Sequence, residues 1–284
     1  MICDKITVKK KRCFIMPLHL GMPTLLESPS LEQSLKICCD LGLDFVELNM
    51  NLPEHQLDAI DVPLAIKMIA DTGKYLTVHL DENLNVCDFN PAIADAYLTT
   101  VLRTIELAKE INAPIINMHM AAGVHFTLPD RKVFLFEHHQ GWYLDRLRFF
   151  RDACDTAIGE SGVTICIENC GAYHGFQQKG IDLLLESRKI ALTYDVGHDH
   201  CAGYANEAFI LNRPDRIKHI HLHDAKGEDN HLPLGDGEID LQGKLPLIEK
   251  QDARCVLEIK TISGLRKSVE YVNDNWRTTK HRVY

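Results

Sequence analysis

The sequence predicts an α/β protein, a single closed (β/α)8 TIM barrel. Three observations predict it. Short β-rich runs alternate with helical patterns along the chain, the runs number eight, and 284 residues is a length one such barrel occupies. An open doubly wound sheet competes, but no glycine-rich phosphate loop follows the first strand. Pro/Gly-rich linkers and low-complexity segments are absent, so one domain spanning 1–284 is expected.

Residues 1–12 read as an N-terminal tether. The basic run Lys9 to Arg12 before Cys13-Phe-Ile-Met faintly imitates a signal peptide. Pro17, His19 and Pro23 interrupt its apolar part, however, and no small-residue cleavage site follows. The expected strands are then Cys13–Leu20, Phe45–Asn49, Tyr75–Leu80, Ile115–Met120, Val163–Glu168, Ile190–Asp195, Ile217–His223 and Cys255–Ile259. Between and after them come helices at Leu31–Leu41, Val62–Thr72, Ile93–Ile111, Tyr143–Ile158, Ile181–Ser187, Glu207–Leu211, Leu241–Glu249 and Gly264–Val272. In the third helix, Ala94, Tyr97, Leu98, Val101, Ile105 and Ala108 recur at three- and four-residue steps and give one apolar face. Gly42 and Gly73 stand where helix C-caps belong. Strands such as Val163-Thr-Ile-Cys-Ile are apolar with little alternation, as in a parallel sheet covered on both faces. The longest connection, Ala121–Gly141, is rich in His and aromatics and is expected to be a lid.

Composition narrows the class. Hydrophobic residues make up 45% and charged residues 25%, ordinary for a globular protein, and no run approaches the roughly 20 apolar residues a membrane span needs. The ten cysteines are scattered through apolar segments without a paired CxxC framework, which fits buried reduced thiols in a cytoplasmic enzyme. The net charge of −9 disfavours a nucleic-acid partner without excluding a local basic groove. Nothing specifies an oligomer.

The ionisable residues fall in a pattern. The third strand ends in His79, the fourth in His119, the fifth in Glu168 and the sixth in Asp195; the seventh contains His221-Leu-His223-Asp224 and the eighth Glu258. One such residue would ordinarily be a hydrogen-bonded rim or core group. Six strand ends in succession converge on one small volume, because neighbouring strands lie about 4.8 Å apart. Buried acids need compensation there, and a divalent cation provides it; carboxylates and imidazoles suit Zn²⁺ or Mn²⁺. His198, Asp229 and His231 lie on loops, where a solvated role competes evenly with a ligand role. Cys170 near His174 is a weak nucleophile–base pairing, and no Gly-x-Ser-x-Gly elbow occurs.

With those residues placed, the sequence resembles the xylose isomerase-like TIM-barrel superfamily. Its sugar (phosphate) isomerase and epimerase branch is related to the endonuclease IV type of abasic-site (AP) endonuclease. The resemblance is carried by Cys-Ile-Glu168-Asn, Tyr-Asp195-Val-Gly-His198, His221-Leu-His-Asp-Ala-Lys226, Asp229-Asn-His231-Leu-Pro-Leu-Gly-Asp-Gly-Glu-Ile-Asp240 and Leu-Glu258-Ile-Lys260. In the isomerase branch the resemblance implies one divalent ion on Glu168, Asp195, His221 and Glu258. The two glutamates then carry the substrate proton through a metal-stabilised enediolate. In the endonuclease branch it implies two or three zinc ions of a phosphodiesterase, held by His79, His119, Glu168, Asp195, His198, His221, Asp229, His231 and Glu258. All nine positions carry a suitable residue, so ligands alone leave the branches open. Two expected barrel-top loops, Asn49–Asp58 and Asp81–Asp88, carry acids and no Lys or Arg, a poor surface for a polyanion. The better match is therefore the isomerase and epimerase branch, acting on a small carbohydrate. Lys226 and Lys260 are candidate contacts to a substrate phosphate. A barrel that binds a sugar-like ligand without catalysis is the remaining class.

Overall fold

Residue alternation decides what enters the barrel and what faces its helices. The computed structural model describes residues 19–277 apart from 250 and 252. Eight parallel strands form the barrel: β1 (His19–Pro23), β2 (Phe45–Asn49), β3 (Tyr75–His79), β4 (Ile115–His119), β7 (Thr164–Glu168), β8 (Ile190–Asp195), β9 (Ile217–Leu222) and β12 (Arg254–Leu257). Their order β1-β12-β9-β8-β7-β4-β3-β2 closes on itself, with β1 paired to both β12 and β2. In β9 and just beyond, His219, His221 and His223 alternate with Ile220 and Leu222. The histidines face the lumen, while Ile220 and Leu222 join the large apolar cluster under the helices. A second, small cluster of Ile115, Cys166 and Ala191 fills part of the lumen from β4, β7 and β8.

At the N-terminal end of the strands the barrel is plugged by aromatics. Phe45 stacks on Tyr75 at 5.0 Å between ring centroids. Gly21 makes room for it: a Cβ there would lie 2.4 Å from the Phe45 ring. Beyond this plug the lumen carries buried polar residues, beginning with Glu47, Thr77 and His219.

The helices that cover the sheet are set by local signals. α1 (Leu31–Asp40) is capped by Ser30 with a reciprocal Gln33 contact, α2 (Val62–Thr72) by Asp61, and α3 (Pro91–Glu110) by Asn90 with Pro91 in its first turn. Gly42 and Gly73 end α1 and α2 at φ of 64° and 66°, as expected of left-handed caps. α4 (Leu135–His138), α5 (Gln140–Ile158), α6 (Gly175–Leu184), α7 (Val196–Cys201), α8 (Glu207–Leu211), α9 (Leu241–Glu249) and α10 (Ile262–Val272) follow. No helix among the described residues is long and apolar enough to cross a membrane.

Three expectations need correction or extension. The expected first strand Cys13–Leu20 overlaps the observed one only at His19 and Leu20; its other residues, and the tether 1–12, lie outside the described residues. Pairing to Phe45–Glu47 runs through Gly21–Pro23, so the strand continues three residues past the expected end at Leu20. α6 begins six residues before the expected Ile181, because His174 and Gln177 build a capping box ahead of the apolar stretch. Segment 121–141 holds an antiparallel hairpin, β5 (His125–Thr127) with β6 (Lys132–Phe134), before α4. A second hairpin, β10 (Asp224–Lys226) with β11 (Asp229–Leu232), follows β9.

Candidate metal centre

Four of the strand-end residues meet. Glu168 ends β7, Asp195 ends β8, His221 lies in β9 and Glu258 follows β12; their ligand atoms all lie within 4.8 Å of one another. From His221 Nδ1 it is 3.2 Å to Glu168 Oε1, 3.2 Å to Glu258 Oε2 and 3.8 Å to Asp195 Oδ2. All four are buried, Glu258 being the most exposed at 6%.

Each residue is tied to the protein on one side and unpartnered on the other. Glu168 Oε2 accepts from Asn117 Nδ2, and Asp195 Oδ1 accepts the His198 backbone N–H at 2.6 Å, capping α7. Glu258 Oε1 accepts from Lys260 Nζ at 2.7 Å, and His221 Nε2 donates to Glu47 Oε1 at 2.8 Å. The opposite atoms, Glu168 Oε1, Asp195 Oδ2, Glu258 Oε2 and His221 Nδ1, are buried with no hydrogen-bond partner. Buried polar atoms are ordinarily satisfied, so four that face one another are a coherent exception. Three carboxylate oxygens and one imidazole nitrogen form a donor set that fits a divalent cation of the Zn²⁺ or Mn²⁺ kind.

Electrostatics agree with this. Burial alone would raise the Glu168 carboxyl, but His221, His119 and His198 hold it well below the ordinary range. Burial is likewise overcome at Asp195, brought to about 2 by His223 and His198, and at Glu258, lowered by His221 and Lys260. Conversely, the carboxylates overcome burial at His221, whose pKa lies well above the usual imidazole value. His198 is raised to about 11 by Asp195 and Glu168, and His119 to about 11 by contacts to Cys170 and Glu168, again against burial.

The flanking expectations divide. His79 donates through Nδ1 to Leu80 O at 2.7 Å, leaving Nε2 3.2 Å from Glu168 Oε2, and His119 Nε2 lies 3.5 Å from the same oxygen. His79, His119 and Glu168 therefore form a second close-set group. His198 joins the centre too, with Nδ1 3.2 Å from Asp195 Oδ2. It belongs to a third group with His223 and His231. His231 sits at φ 53°, in the left-handed region, and burial brings it down to about 4 against the pull of Glu258.

Asp229 does not join: it is exposed, in β11, outside all four close-set groups. The turn of the β10–β11 hairpin carries it outward, and His223 stands in that group instead. His223 Nδ1 accepts the His231 backbone N–H at 2.8 Å, which places a neutral ring's proton on Nε2, 3.2 Å from Asp195 Oδ1. Gly197 permits this approach, since a Cβ there would lie 1.9 Å from the His223 ring. Of the two lysines, Lys226 is exposed in β10, whereas Lys260 is paired with Glu258.

Sequence reasoning missed the supporting residues. Glu47, His219, Asn117 and Thr193 are all buried. Thr193 Oγ1 donates to Asn117 Oδ1 at 2.5 Å, which turns the Asn117 amide NH2 towards Glu168. Asn169 brackets the Asp195 backbone with bonds of 2.8 and 2.9 Å. The available signal was an acid or amide inside an otherwise apolar strand, as in Phe-Val-Glu47-Leu and Ile-Ile-Asn117-Met.

Comparisons with known proteins agree with this architecture. The uncharacterized protein MJ1614 of Methanocaldococcus jannaschii is 28% identical over 66% of this chain and 69% of its own length. A D-tagatose 3-epimerase-like protein superposes with a TM-score of 0.77 at 20% identity, over 94% of this chain and all (100%) of that one. The 3-keto-D-glucoside 4-epimerase YcjR of E. coli gives 0.71 at 16% identity, over 91% of this chain and 100% of that one. The IolI protein with a bound zinc atom gives 0.66 at 17%, over 93% and 96%. At these identities the superpositions speak to the fold. Residues 35–275 match the family described as xylose isomerase-like TIM barrel, and the chain belongs to that family.

Proposed function

We propose that this protein is a divalent-metal-dependent isomerase or epimerase of a sugar or sugar phosphate. The observation that carries the reading is the set of four half-tied, half-unpartnered groups on Glu168, Asp195, His221 and Glu258. The fold likeness to two proteins titled as sugar epimerase or epimerase-like, and to one titled with bound zinc, supports the carbohydrate class and the metal.

In this reading those four residues hold one Zn²⁺ or Mn²⁺. A bound cation supplies Lewis-acid stabilisation of negative charge on a substrate oxygen. Glu168 and Glu258 each bring one oxygen within 3.2 Å of His221 Nδ1 and act as the proton carriers. One takes the proton α to the carbonyl and the other returns it. The Asn117 amide and the Lys260 ammonium favour the anionic form of each, which a proton acceptor requires. Lys226 and Lys260 are assigned to the substrate, and segment 121–141 to closure over the mouth. Singly buried thiols such as Cys154 and Cys166 support a cytoplasmic setting.

A second reading, a multi-zinc phosphodiesterase, is favoured by the two flanking histidine groups. It is opposed by the outward position of Asp229 and by the tautomer of His223. The test is metal analysis of the purified protein, with NMR detection of α-proton exchange into D2O across ketoses and their phosphates. About one equivalent of metal with exchange on one substrate class is expected. Two to three zinc ions, no exchange, and nicking of an abasic duplex would overturn the proposal.

A further inference from the structure

Glu47 lies in the middle of β2, a strand that is not a neighbour of β9 in the barrel. Its carboxylate nevertheless reaches across the lumen to two histidines of β9. Oε1 is 2.8 Å from His221 Nε2, and Oε2 is 2.7 Å from His219 Nε2 and 3.0 Å from Thr77 Oγ1. Glu47 is 1% exposed and both rings are fully buried, so no water competes for these contacts.

These three residues also form a close-set group of metal-ligand types, yet they differ from the four at the centre. Neither Glu47 oxygen is among the unpartnered buried atoms, and neither Nε2 is. Around Glu47 the hydrogen bonds are complete, since both its oxygens and both Nε2 atoms that face them are paired. Carboxylate oxygens accept, so each Nε2 that faces one at 2.7 or 2.8 Å is the donor. A neutral His221 with its proton on Nε2 has its lone pair on Nδ1, the atom 3.2 Å from both Glu168 Oε1 and Glu258 Oε2. Without Glu47 those two carboxylates would draw the single proton to Nδ1. His221 would then be a donor facing the centre rather than a ligand.

We propose that Glu47 is a positioning residue: it fixes the proton of His221 on Nε2 and so keeps Nδ1 available to the divalent cation. This rests on the metal-centre reading above. Buried as it is beneath His221, Glu47 reaches no substrate and is not a catalytic residue.

The test compares the native protein with Glu47→Gln and Glu47→Ala. Zinc affinity is measured by competition with a chromophoric chelator, and the imidazole protons of the zinc-loaded forms by ¹⁵N-edited NMR. Glu47→Gln keeps the shape, which guards against a Glu47→Ala chain that fails to fold; circular dichroism and the metal-free melting temperature report on folding. The expected result is a roughly 10- to 100-fold loss of zinc affinity in folded Glu47→Gln, the usual effect of removing a group that orients a metal-ligating histidine. It should be accompanied by loss or a large upfield shift of a downfield His221 Nε2 proton signal. Native affinity and an unshifted signal in folded Glu47→Gln would overturn the positioning role and leave the metal centre standing. A native chain that binds no zinc or manganese would instead overturn the metal centre itself.

Discussion

Glu168→Gln is the sharpest perturbation of the proposed centre. Asn117 presents its NH2 to Glu168 Oε2 and cannot simply turn over, because its own oxygen is held by Thr193. The glutamine must therefore place its carbonyl oxygen towards Asn117 and its NH2 where Oε1 stood, 3.2 Å from His221 Nδ1. A ligand becomes a donor, and one negative charge leaves a buried site. At that separation, with an effective dielectric of about 20, two unit charges interact by about 5 kcal/mol. Breaking one side of a buried pair costs about 3–5 kcal/mol in practice. A net loss of about 4 kcal/mol corresponds to roughly three decades of metal affinity. Chelator competition should show that loss, and deuterium incorporation at the substrate α-carbon should fall by at least about 100-fold at saturating metal. Metal affinity within tenfold of native, with exchange intact, would refute both the charge argument and the role of Glu168.

Other outcomes are expected. Stripping the metal with a chelator should lower the melting temperature by roughly 10 °C relative to protein in ~1,000 Kd of free metal, since binding at that excess stabilises by about 4 kcal/mol; an unchanged melting curve would argue against a cation in the native centre. Gly197→Ala drives a methyl into the His223 ring, 1.9 Å from the new Cβ, and should destabilise by about 1–3 kcal/mol in denaturant titration; a neutral result would mean the ring moves freely. Burial pushes the thiols of Cys38, Cys87, Cys166 and Cys255 up to about 12. The thiolate fraction of each at pH 8 is then only about one in ten thousand. Mass mapping after brief alkylation at that pH should find exposed Cys39 and Cys170 modified and these four protected until the chain is unfolded. Labelling of Cys166 at the rate of Cys39 would contradict the lumen packing.

Much of this protein can be read along the chain. The eight strand–helix repeats, the caps at Gly42 and Gly73, and the acids and histidines at strand ends are local patterns. Local periodicity sets which face a residue occupies, so the strand-end set of His79, His119, Glu168, Asp195, His221 and Glu258 could be named before any coordinates, and the family resemblance pointed to Glu168, Asp195, His221 and Glu258 within it. What periodicity does not encode is which inward side chains oppose one another once the sheet has closed. Glu47 touches His221 although 174 residues separate them and neither strand borders the other. Only closure brings the two across the lumen. The hairpin that turns Asp229 outward and leaves His223 against Asp195 is likewise decided by how β10 and β11 pair, with a register shift between Asp224 and Lys226. Sequence thus determined which residue types reach the rim. Tertiary structure decided which of their atoms are already bonded and which remain free to hold a cation, because that depends on contacts between strands distant in the chain.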